Sequence, residues 1–243
     1  MRVQFVDCRW ELGQPQRGRE LYLAGHIPGA SFLDVERELS APPGGANGGR
    51  HPLPAPEDFA RSAAAAGIGD DALVLAYDQG MNGGAARLWW LLRHFGHDDV
   101  AVLRGGLESW LGYLRGGEER IEPGELTLRP REGDLASAEE IDDALGRPGF
   151  VLVDARVPER FRGEVEPVDP VAGHIPGALN VPYPAAGDFP PEVAEADEVV
   201  VYCGSGVTAC VNVLALDRAG IEAKLYAGSW SEWSNRGLPV ERG

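Results

Sequence analysis

The chain has 243 residues, of which 44% are hydrophobic, enough for one large or two compact domains with a buried core. Its 22 basic and 38 acidic residues give a formal net charge of −16, which disfavours nucleic acid and anionic membranes as partners. No apolar run approaches the roughly 20 residues that span a bilayer, and the N-terminus reads as a strand rather than as a signal peptide. The three cysteines cannot build a disulfide framework and match no zinc spacing. We therefore expect a reduced, cytoplasmic protein, and nothing in the sequence implies a metal or organic cofactor.

Short β runs alternate with helical stretches throughout the chain. In the first half, strands are predicted at 1–7, 73–77 and 100–103, with an apolar helix at 84–95. In the second half, the predicted elements are strands at 150–154, 199–202 and 223–226 and a helix at 209–219. This alternation predicts an α/β fold with parallel sheets flanked by helices on both faces.

The two halves are repeats of one plan. Residues 24–30 and 172–178 are identical, and three looser pairs follow the same order: 6–9 with 153–156, 75–78 with 200–203, and 105–110 with 228–233. A stretch rich in Gly, Pro and Glu separates the halves and has no convincing period. We expect two similar domains at 1–114 and 135–243, joined by a linker at 115–134.

The predicted strand at 199–202 ends at Cys203, and small residues lead from it towards the predicted helix. Backbone N–H groups in such a turn, together with the helix N-terminus, favour negative charge. They favour the thiolate, which is the nucleophilic form of cysteine. The alternative reading, a buried packing cysteine, is the one we adopt for Cys8 and Cys210. Asp78 stands in the matching position of the first half, which is therefore expected to lack sulfur chemistry.

The first half carries an insertion that the second half lacks. His26 and Tyr77 are 51 positions apart (77 − 26), whereas His174 and Tyr202 are 28 apart (202 − 174). The extra residues cover 41–54, a Gly- and Pro-rich stretch, and loops of this length are normally functional or disordered. We expect this insertion to reach the second half and to help form the wall of its pocket.

Together these motifs resemble the tandem-domain rhodanese family, which includes thiosulfate and 3-mercaptopyruvate sulfurtransferases. The resemblance covers essentially the whole chain. It implies two rhodanese-like domains, the second of them catalytic, with Cys203 alternating between a thiolate and a persulfide. It also implies a small anionic sulfur donor and, as acceptor, either cyanide or a thiol such as that of a reduced thioredoxin-like protein.

The cysteine loop resembles the mercaptopyruvate type, because it lacks the basic side chains that thiosulfate-using members place after the cysteine. For that type the resemblance assigns a proton relay to Ser205, His51 and Asp34. Such a relay would protonate the pyruvate enolate that leaves when sulfur is transferred. The resemblance assigns donor binding to Arg160 and to the loop residues Gly204, Gly206, Val207 and Thr208. Thiosulfate is the alternative donor.

One departure concerns the donor carboxylate. The mercaptopyruvate type carries two arginines before the second Gly-His-Ile-Pro-Gly motif, but here only Arg160 matches, and Asp169 lies near the second position. Arginine suits planar carboxylate recognition, whereas Asp169 is expected to repel a carboxylate. Either Arg156 or Arg162 replaces the missing arginine, or donor binding is weaker, or the donor differs. Arg160 itself has a structural alternative, an ion pair with nearby Glu159 or Glu164.

Two other classes of function compete with an enzyme of sulfur transfer. A non-catalytic binding module could retain the fold, but such modules often lose the cysteine, which is present here. A cysteine phosphatase needs a longer loop closed by an arginine that holds the phosphate oxygens, and residues 208–210 offer none.

Overall fold

The computed structural model describes residues 2–80 and 82–243, so Met1, the first residue of the predicted N-terminal strand, lies outside the described part. The chain divides into two compact units. The first comprises Met1–Ala41 and Leu53–Arg131, and the second comprises Pro42–Pro52 and Glu132–Gly243. The insertion therefore belongs to the second unit, although the segments on either side of it belong to the first.

In the first unit, one sheet contains four parallel strands: β1 (Arg2–Asp7), β2 (Ser31–Phe32), β3 (Ala72–Tyr77) and β4 (Val100–Val102). Their order in the sheet is β2-β1-β3-β4. The helices of this unit are α1 (Arg17–Ala24), α2 (Pro56–Ala65) and α3 (Gly84–His94). Nine of the 11 residues of α3 are buried, as expected for an apolar helix that covers a sheet.

The second unit repeats this plan with the strands β5 (Phe150–Asp154), β6 (Leu179–Asn180), β7 (Glu198–Tyr202) and β8 (Lys224–Leu225). They are again parallel, in the order β6-β5-β7-β8. Its helices are α4 (Ala138–Ala144), α5 (Pro158–Phe161), α6 (Pro191–Ala194), α7 (Ala209–Arg218) and α8 (Ser229–Asn235). The predicted α/β class with two parallel sheets and flanking helices is confirmed. In the described part of the chain, no helix has the length and apolar character needed to cross a membrane.

The predicted elements differ from the observed ones mainly at their ends. The strand predicted at 223–226 contracts to β8, because only two of its residues pair with β7. The strand predicted at 100–103 ends at Val102, and the helices predicted at 84–95 and 209–219 each end one residue early. The short strands β2 and β6 and the helices α1, α2, α4, α5, α6 and α8 were not predicted. Two-residue strands are too short to show a period.

A buried ion pair at the end of the central strand explains why two of the motifs are repeated. Arg156 Nη2 donates to Asp154 Oδ2 at 2.6 Å and to the carbonyl oxygen of Gly173 at 2.7 Å. Both side chains are almost completely buried. The arginine therefore ties the strand end to the turn that carries the Gly-His-Ile-Pro-Gly motif. The first unit has the same two bonds at the same lengths, between Arg9, Asp7 and Gly25.

The histidines of the repeated motif also have matching structural partners. His174 Nδ1 donates to the carbonyl oxygen of Phe161 at 2.8 Å and stacks on that ring. In the first unit, His26 Nδ1 donates to the carbonyl oxygen of Tyr22 at 2.7 Å and stacks on it likewise. Each histidine thus holds a turn to a preceding helix.

The stretch predicted as a linker contains no helix or strand and lies along the first unit as far as Arg131. Its backbone N–H groups donate to first-unit carbonyl groups: Gly117 to Leu23 at 2.8 Å, and Arg129 to Phe95 at 2.8 Å. Because these bonds fix its path, this segment is ordered rather than loosely tethered.

The repeated ion pair yields a stability prediction. Arg156→Met leaves the Asp154 carboxylate buried without its cation, which typically costs about 3 to 5 kcal/mol. Arg162→Met is the matched control, because Arg162 is exposed and pairs only with neighbouring Glu164 among the described residues, so a change within about 0.5 kcal/mol is expected. Urea unfolding followed by tryptophan fluorescence measures both, and equal midpoints for the two variants would contradict the role of the buried pair.

Candidate active site

The candidate nucleophile, Cys203, lies in the turn between β7 and α7 of the second unit. Cys203 directly follows the strand and is 1% exposed. Its Sγ accepts a hydrogen bond from the Gly206 N–H at 3.1 Å. A backbone N–H pointing at sulfur near a helix N-terminus stabilises negative charge there. The turn therefore places an N–H donor where a thiolate or persulfide needs one.

Gly206 can form this bond because it has no side chain. Its φ is +77°, which is strained for other residues, and an added Cβ would lie 2.4 Å from the carbonyl oxygen of Ala227. The carbonyl group of Gly206 accepts a hydrogen bond from Cys210 Sγ at 3.3 Å. Cys210 is fully buried in α7, and this hydrogen bond joins the cysteine loop to the helix that follows it.

Ser229, at the start of α8, holds the other side of the cysteine loop. It is the one non-glycine residue with positive φ (54°) in the described chain, and it is fully buried. Its Oγ accepts the Cys203 N–H at 3.1 Å and donates to the Tyr226 carbonyl oxygen at 2.9 Å. Strain kept at such a position is characteristic of functional sites. Sequence reasoning missed Ser229, although the repeated motif at 228–233 pointed to its neighbourhood.

The insertion brings His51 to the cysteine loop, as predicted. His51 Nδ1 and Ser205 Oγ are 2.7 Å apart and share a hydrogen bond, and both residues are buried. Ser205 stands two residues after Cys203, so a titratable ring and a hydroxyl adjoin the nucleophile. Two of the three predicted relay residues are therefore in contact.

Close backbone packing anchors the insertion to α8. The Arg50 N–H donates to Ser231 Oγ at 2.7 Å, and the Gly48 N–H donates to Glu232 Oε1 at 3.2 Å. At Gly49, φ is +74° and an added Cβ would lie 2.4 Å from the carbonyl oxygen of Gly228. The glycines of the insertion therefore permit a tight approach that fixes the neighbouring His51.

Asp34 belongs to the first unit and is 7% exposed. Its Oδ1 accepts the Glu36 N–H at 2.8 Å, and its own N–H donates to Glu38 Oε2 at 2.8 Å. These bonds organise a local turn. The role of Asp34 in the relay stays a prediction.

Arg160 does not pair with Glu159 or Glu164. Instead, its Nε and Nη2 donate to Glu166 at 3.2 and 2.7 Å, and Nη2 also contacts Asp169 Oδ2 at 3.2 Å. Both acceptors are buried, whereas the Arg160 side chain is 17% exposed. The two carboxylates bond Nε and Nη2 of the guanidinium group and leave its Nη1 unbonded to them.

The structure also shows which arginine accompanies Arg160. Arg156 is engaged in the buried strand-end pair, and Arg162 points outward to Glu164, so neither replacement considered from the sequence lies in place. Arg50, from the insertion, donates through Nη1 to Asp169 Oδ1 at 2.7 Å. Sequence reasoning missed Arg50, because it precedes the expected segment by more than a hundred residues.

In the first unit, the side chain of Asp78 fills the position corresponding to the nucleophile. Its Oδ1 accepts the Gly80 N–H at 2.8 Å, and its Oδ2 accepts the Ala85 N–H at 3.2 Å. The amides that would hold an anion are thus bonded to the protein's own carboxylate. Burial, with Asp7 and Asp78 nearby, raises the pKa of the Cys8 thiol well above its usual value, so Cys8 stays protonated.

The geometry of the cysteine loop yields a second prediction. Gly206→Ala combines a disfavoured φ with a clash against Ala227 and displaces the N–H from Sγ, so we expect at least a tenfold slower reaction of Cys203 with iodoacetamide. Gly220→Ala is the matched control, because Gly220 has φ +75° but an added Cβ meets nothing within 4 Å. It is expected to cost about 1 kcal/mol of stability without slowing alkylation. Equal alkylation rates in both variants would contradict the role of the Gly206 N–H.

Comparison with known proteins agrees with this geometry. The rhodanese-like domain family matches residues 1–113 and 137–236. A Pseudomonas aeruginosa protein with the provisional name 3-mercaptopyruvate sulfurtransferase is 46% identical over 94% of this chain and 88% of its own length. A Mycobacterium tuberculosis protein with the provisional name thiosulfate sulfurtransferase SseB is 42% identical over 99% of this chain and 91% of its own.

Among solved structures, the Escherichia coli 3-mercaptopyruvate sulfurtransferase SseA is similar to this chain with a TM-score of 0.78 and 34% identity. That match covers 94% of this chain and 92% of SseA. The two segments that match the family account for most of the sequence. They leave unmatched only the stretch between them and the C-terminal end. The chain therefore belongs to the rhodanese family and carries two rhodanese-like domains.

Proposed function

We propose that this protein is a sulfurtransferase that moves a sulfur atom from a small anionic donor, through a persulfide on Cys203, to a thiol or cyanide acceptor. 3-Mercaptopyruvate is the favoured donor. The observation that carries the proposal is the Gly206 N–H bonded to Cys203 Sγ beside the bonded pair of His51 and Ser205. The names of the relatives support the same activity.

The first step loads sulfur onto the enzyme. The Cys203 thiolate attacks the thiol sulfur of mercaptopyruvate, so an S–S bond forms while the donor's C–S bond breaks. The electron pair of that bond stays on carbon, which leaves as the pyruvate enolate and takes up a proton to give pyruvate. The donor sulfur is oxidised to the sulfane level and the carbon is reduced, so no external oxidant is required. The Gly206 N–H stabilises the charge on sulfur in the manner of an oxyanion hole.

His51 and Ser205 supply a proton route to the leaving enolate. A hydroxyl in contact with an imidazole can pass a proton to a developing anion and be reprotonated from the ring. Their shared hydrogen bond at 2.7 Å has the length such a transfer needs. The third relay member that the resemblance assigns, Asp34, is included in the proposal and is tested by Asp34→Asn in the assay given below.

The second step unloads the persulfide. A nucleophilic acceptor attacks its outer sulfur and regenerates the Cys203 thiolate, giving thiocyanate from cyanide or a new persulfide from a thiol. A reduced thioredoxin-like protein is one such thiol. Three free cysteines suit a reducing compartment, and we propose the cytoplasm as the location.

The donor is proposed to lie against the cysteine loop and Arg160. Arg160 presents its open edge beside Gly204, where an added Cβ would lie 3.2 Å from Nη1. The residues proposed to contact the donor are Arg160, Gly204, Gly206, Val207 and Thr208. We propose the domain bounds 1–114 and 135–243, with residues 115–134 as the connection. Of the proposed catalytic residues, Cys203, Ser205 and His51 belong to the second unit and Asp34 to the first.

The nucleophile is tested by mass spectrometry after donor treatment. Mercaptopyruvate should add about 32 Da, one sulfur atom, to the Cys203 peptide, and cyanide should remove it. Cys203→Ser should abolish turnover, whereas Cys210→Ser, its buried neighbour, should retain loading. A Cys203 peptide that never gains this mass would exclude sulfur transfer by this protein.

The relay is tested by comparing donors. Ser205→Ala and His51→Gln should each lower kcat with mercaptopyruvate by about 100-fold, the typical contribution of a positioned acid. With thiosulfate the loss should stay under about threefold, because sulfite leaves as a stable anion without protonation. Ser234→Ala is the control, since Ser234 is a buried α8 serine whose Oγ has no hydrogen-bond partner in the described structure. Equal losses with both donors would refute the proton relay.

A further inference from the structure

Two arginine side chains from distant parts of the chain meet at one carboxylate. Arg50 Nη1 donates to Asp169 Oδ1 at 2.7 Å, and Arg160 Nη2 contacts Asp169 Oδ2 at 3.2 Å. The Asp169 side chain is 3% exposed, whereas the two arginine side chains are 20% and 17% exposed. Asp169 therefore lies beneath the pair and fixes both guanidinium groups from the buried side.

The remaining guanidinium nitrogens of the pair converge on one point. A Cβ added to Gly204 would lie 3.2 Å from Arg160 Nη1 and 3.3 Å from Arg50 Nη2. Gly204 is the residue next to Cys203, and its missing side chain lets both guanidinium groups approach the loop backbone. In addition, Arg50 Nε is buried and has no hydrogen-bond partner in the described structure. Two guanidinium groups thus lie against the loop beside the nucleophile, and in the described structure each keeps an η nitrogen that bonds neither Asp169 nor Glu166.

We propose that Arg50 is the second donor-carboxylate-binding residue, with Asp169 as the residue that positions it against Arg160. This inference rests on the proposed function and assigns its specificity for carboxylate-bearing donors. A carboxylate placed over Gly204 accepts from both guanidinium groups, the arrangement that planar N–H donors recognise best. The carboxylate and the thiol of mercaptopyruvate are separated by only a few bonds, so the sulfur can approach Cys203.

The expectation that Asp169 would repel the donor is therefore revised. Each oxygen of Asp169 is already bound to an arginine, so the carboxylate neutralises charge and fixes geometry rather than facing the donor. Without it, two guanidinium groups held side by side would repel each other. Asp169 thus lies near the sequence position where the mercaptopyruvate type has its second arginine. It binds instead an arginine from the insertion, Arg50.

The test compares two donors that differ in one group. 1-Mercaptopropan-2-one replaces the carboxylate of mercaptopyruvate with a methyl group and keeps the ketone and thiol. Arg50→Gln should raise KM for mercaptopyruvate by about 10- to 100-fold, the range for a lost charged hydrogen bond. It should change KM for the methyl ketone by less than about twofold, and Arg50→Lys should recover part of the loss.

Three further variants sharpen the comparison. Asp169→Asn should reproduce the selective rise in KM, because it removes the charge that holds Arg50 beside Arg160. Gly204→Ala should do so as well, because its methyl group would lie 3.2 Å from Arg160 Nη1 and 3.3 Å from Arg50 Nη2 and displace both guanidinium groups. Arg162→Gln, an exposed arginine bonded to Glu164, should behave as wild type with both donors.

The outcomes separate this inference from the proposed function. If wild type releases no pyruvate and gains no persulfide, the proposed function is wrong. If wild type is active but Arg50→Gln lowers kcat equally with both donors, Arg50 merely anchors the loop that carries His51, and the inference is wrong. An unchanged KM in Arg50→Gln also refutes it.

Discussion

The proposed chemistry depends on one hydrogen bond, from the Gly206 N–H to Cys203 Sγ. That bond exists because Gly206 adopts a positive φ and packs directly against the Ala227 carbonyl group. Ser229 also has a positive φ, and its Oγ accepts a hydrogen bond from the Cys203 N–H. Only Ser229 is strained by its positive φ, because glycine adopts that region freely. It lies beside a core in which Trp230 and Trp233 are fully enclosed, and the surrounding fold holds the strain in place.

The two units show how one loop design leads to two chemical outcomes. In the first unit, Asp78 is bonded to the loop's own N–H groups, so the position for an anion is satisfied within the protein. In the second unit, Cys203 Sγ accepts the Gly206 N–H. The first half contributes in another way, because its insertion belongs to the second unit and carries His51 and Arg50.

Much of the fold could be predicted from the sequence, because β-branched runs such as 150–154 and an apolar helix such as α3 carry strong local signals. The two-residue strands β2 and β6 carry none, since their position depends on pairing with β1 and β5. In the site, Cys203 was evident from the strand and turn around it. Arg50 was not, because its partner Asp169 lies 119 positions away and no local pattern joins them. The position of Arg156 in the sequence made it a candidate for binding the donor carboxylate. Its side chain is instead buried in the ion pair with Asp154, where it stabilises the fold.

The case of Asp169 shows why the sign of a charge in sequence does not determine its effect in a site. A carboxylate near an anion repels it only if the carboxylate is unpaired and faces it. When guanidinium groups bind both oxygens of the carboxylate, its negative charge is compensated locally. The guanidinium N–H groups that do not bond the carboxylate then determine which ligand binds. The buried Glu166 does the same for Arg160, joining it to Arg156 and so to the strand-end pair. The proposed donor-binding surface is consequently an extension of the ion-pair network that stabilises the fold.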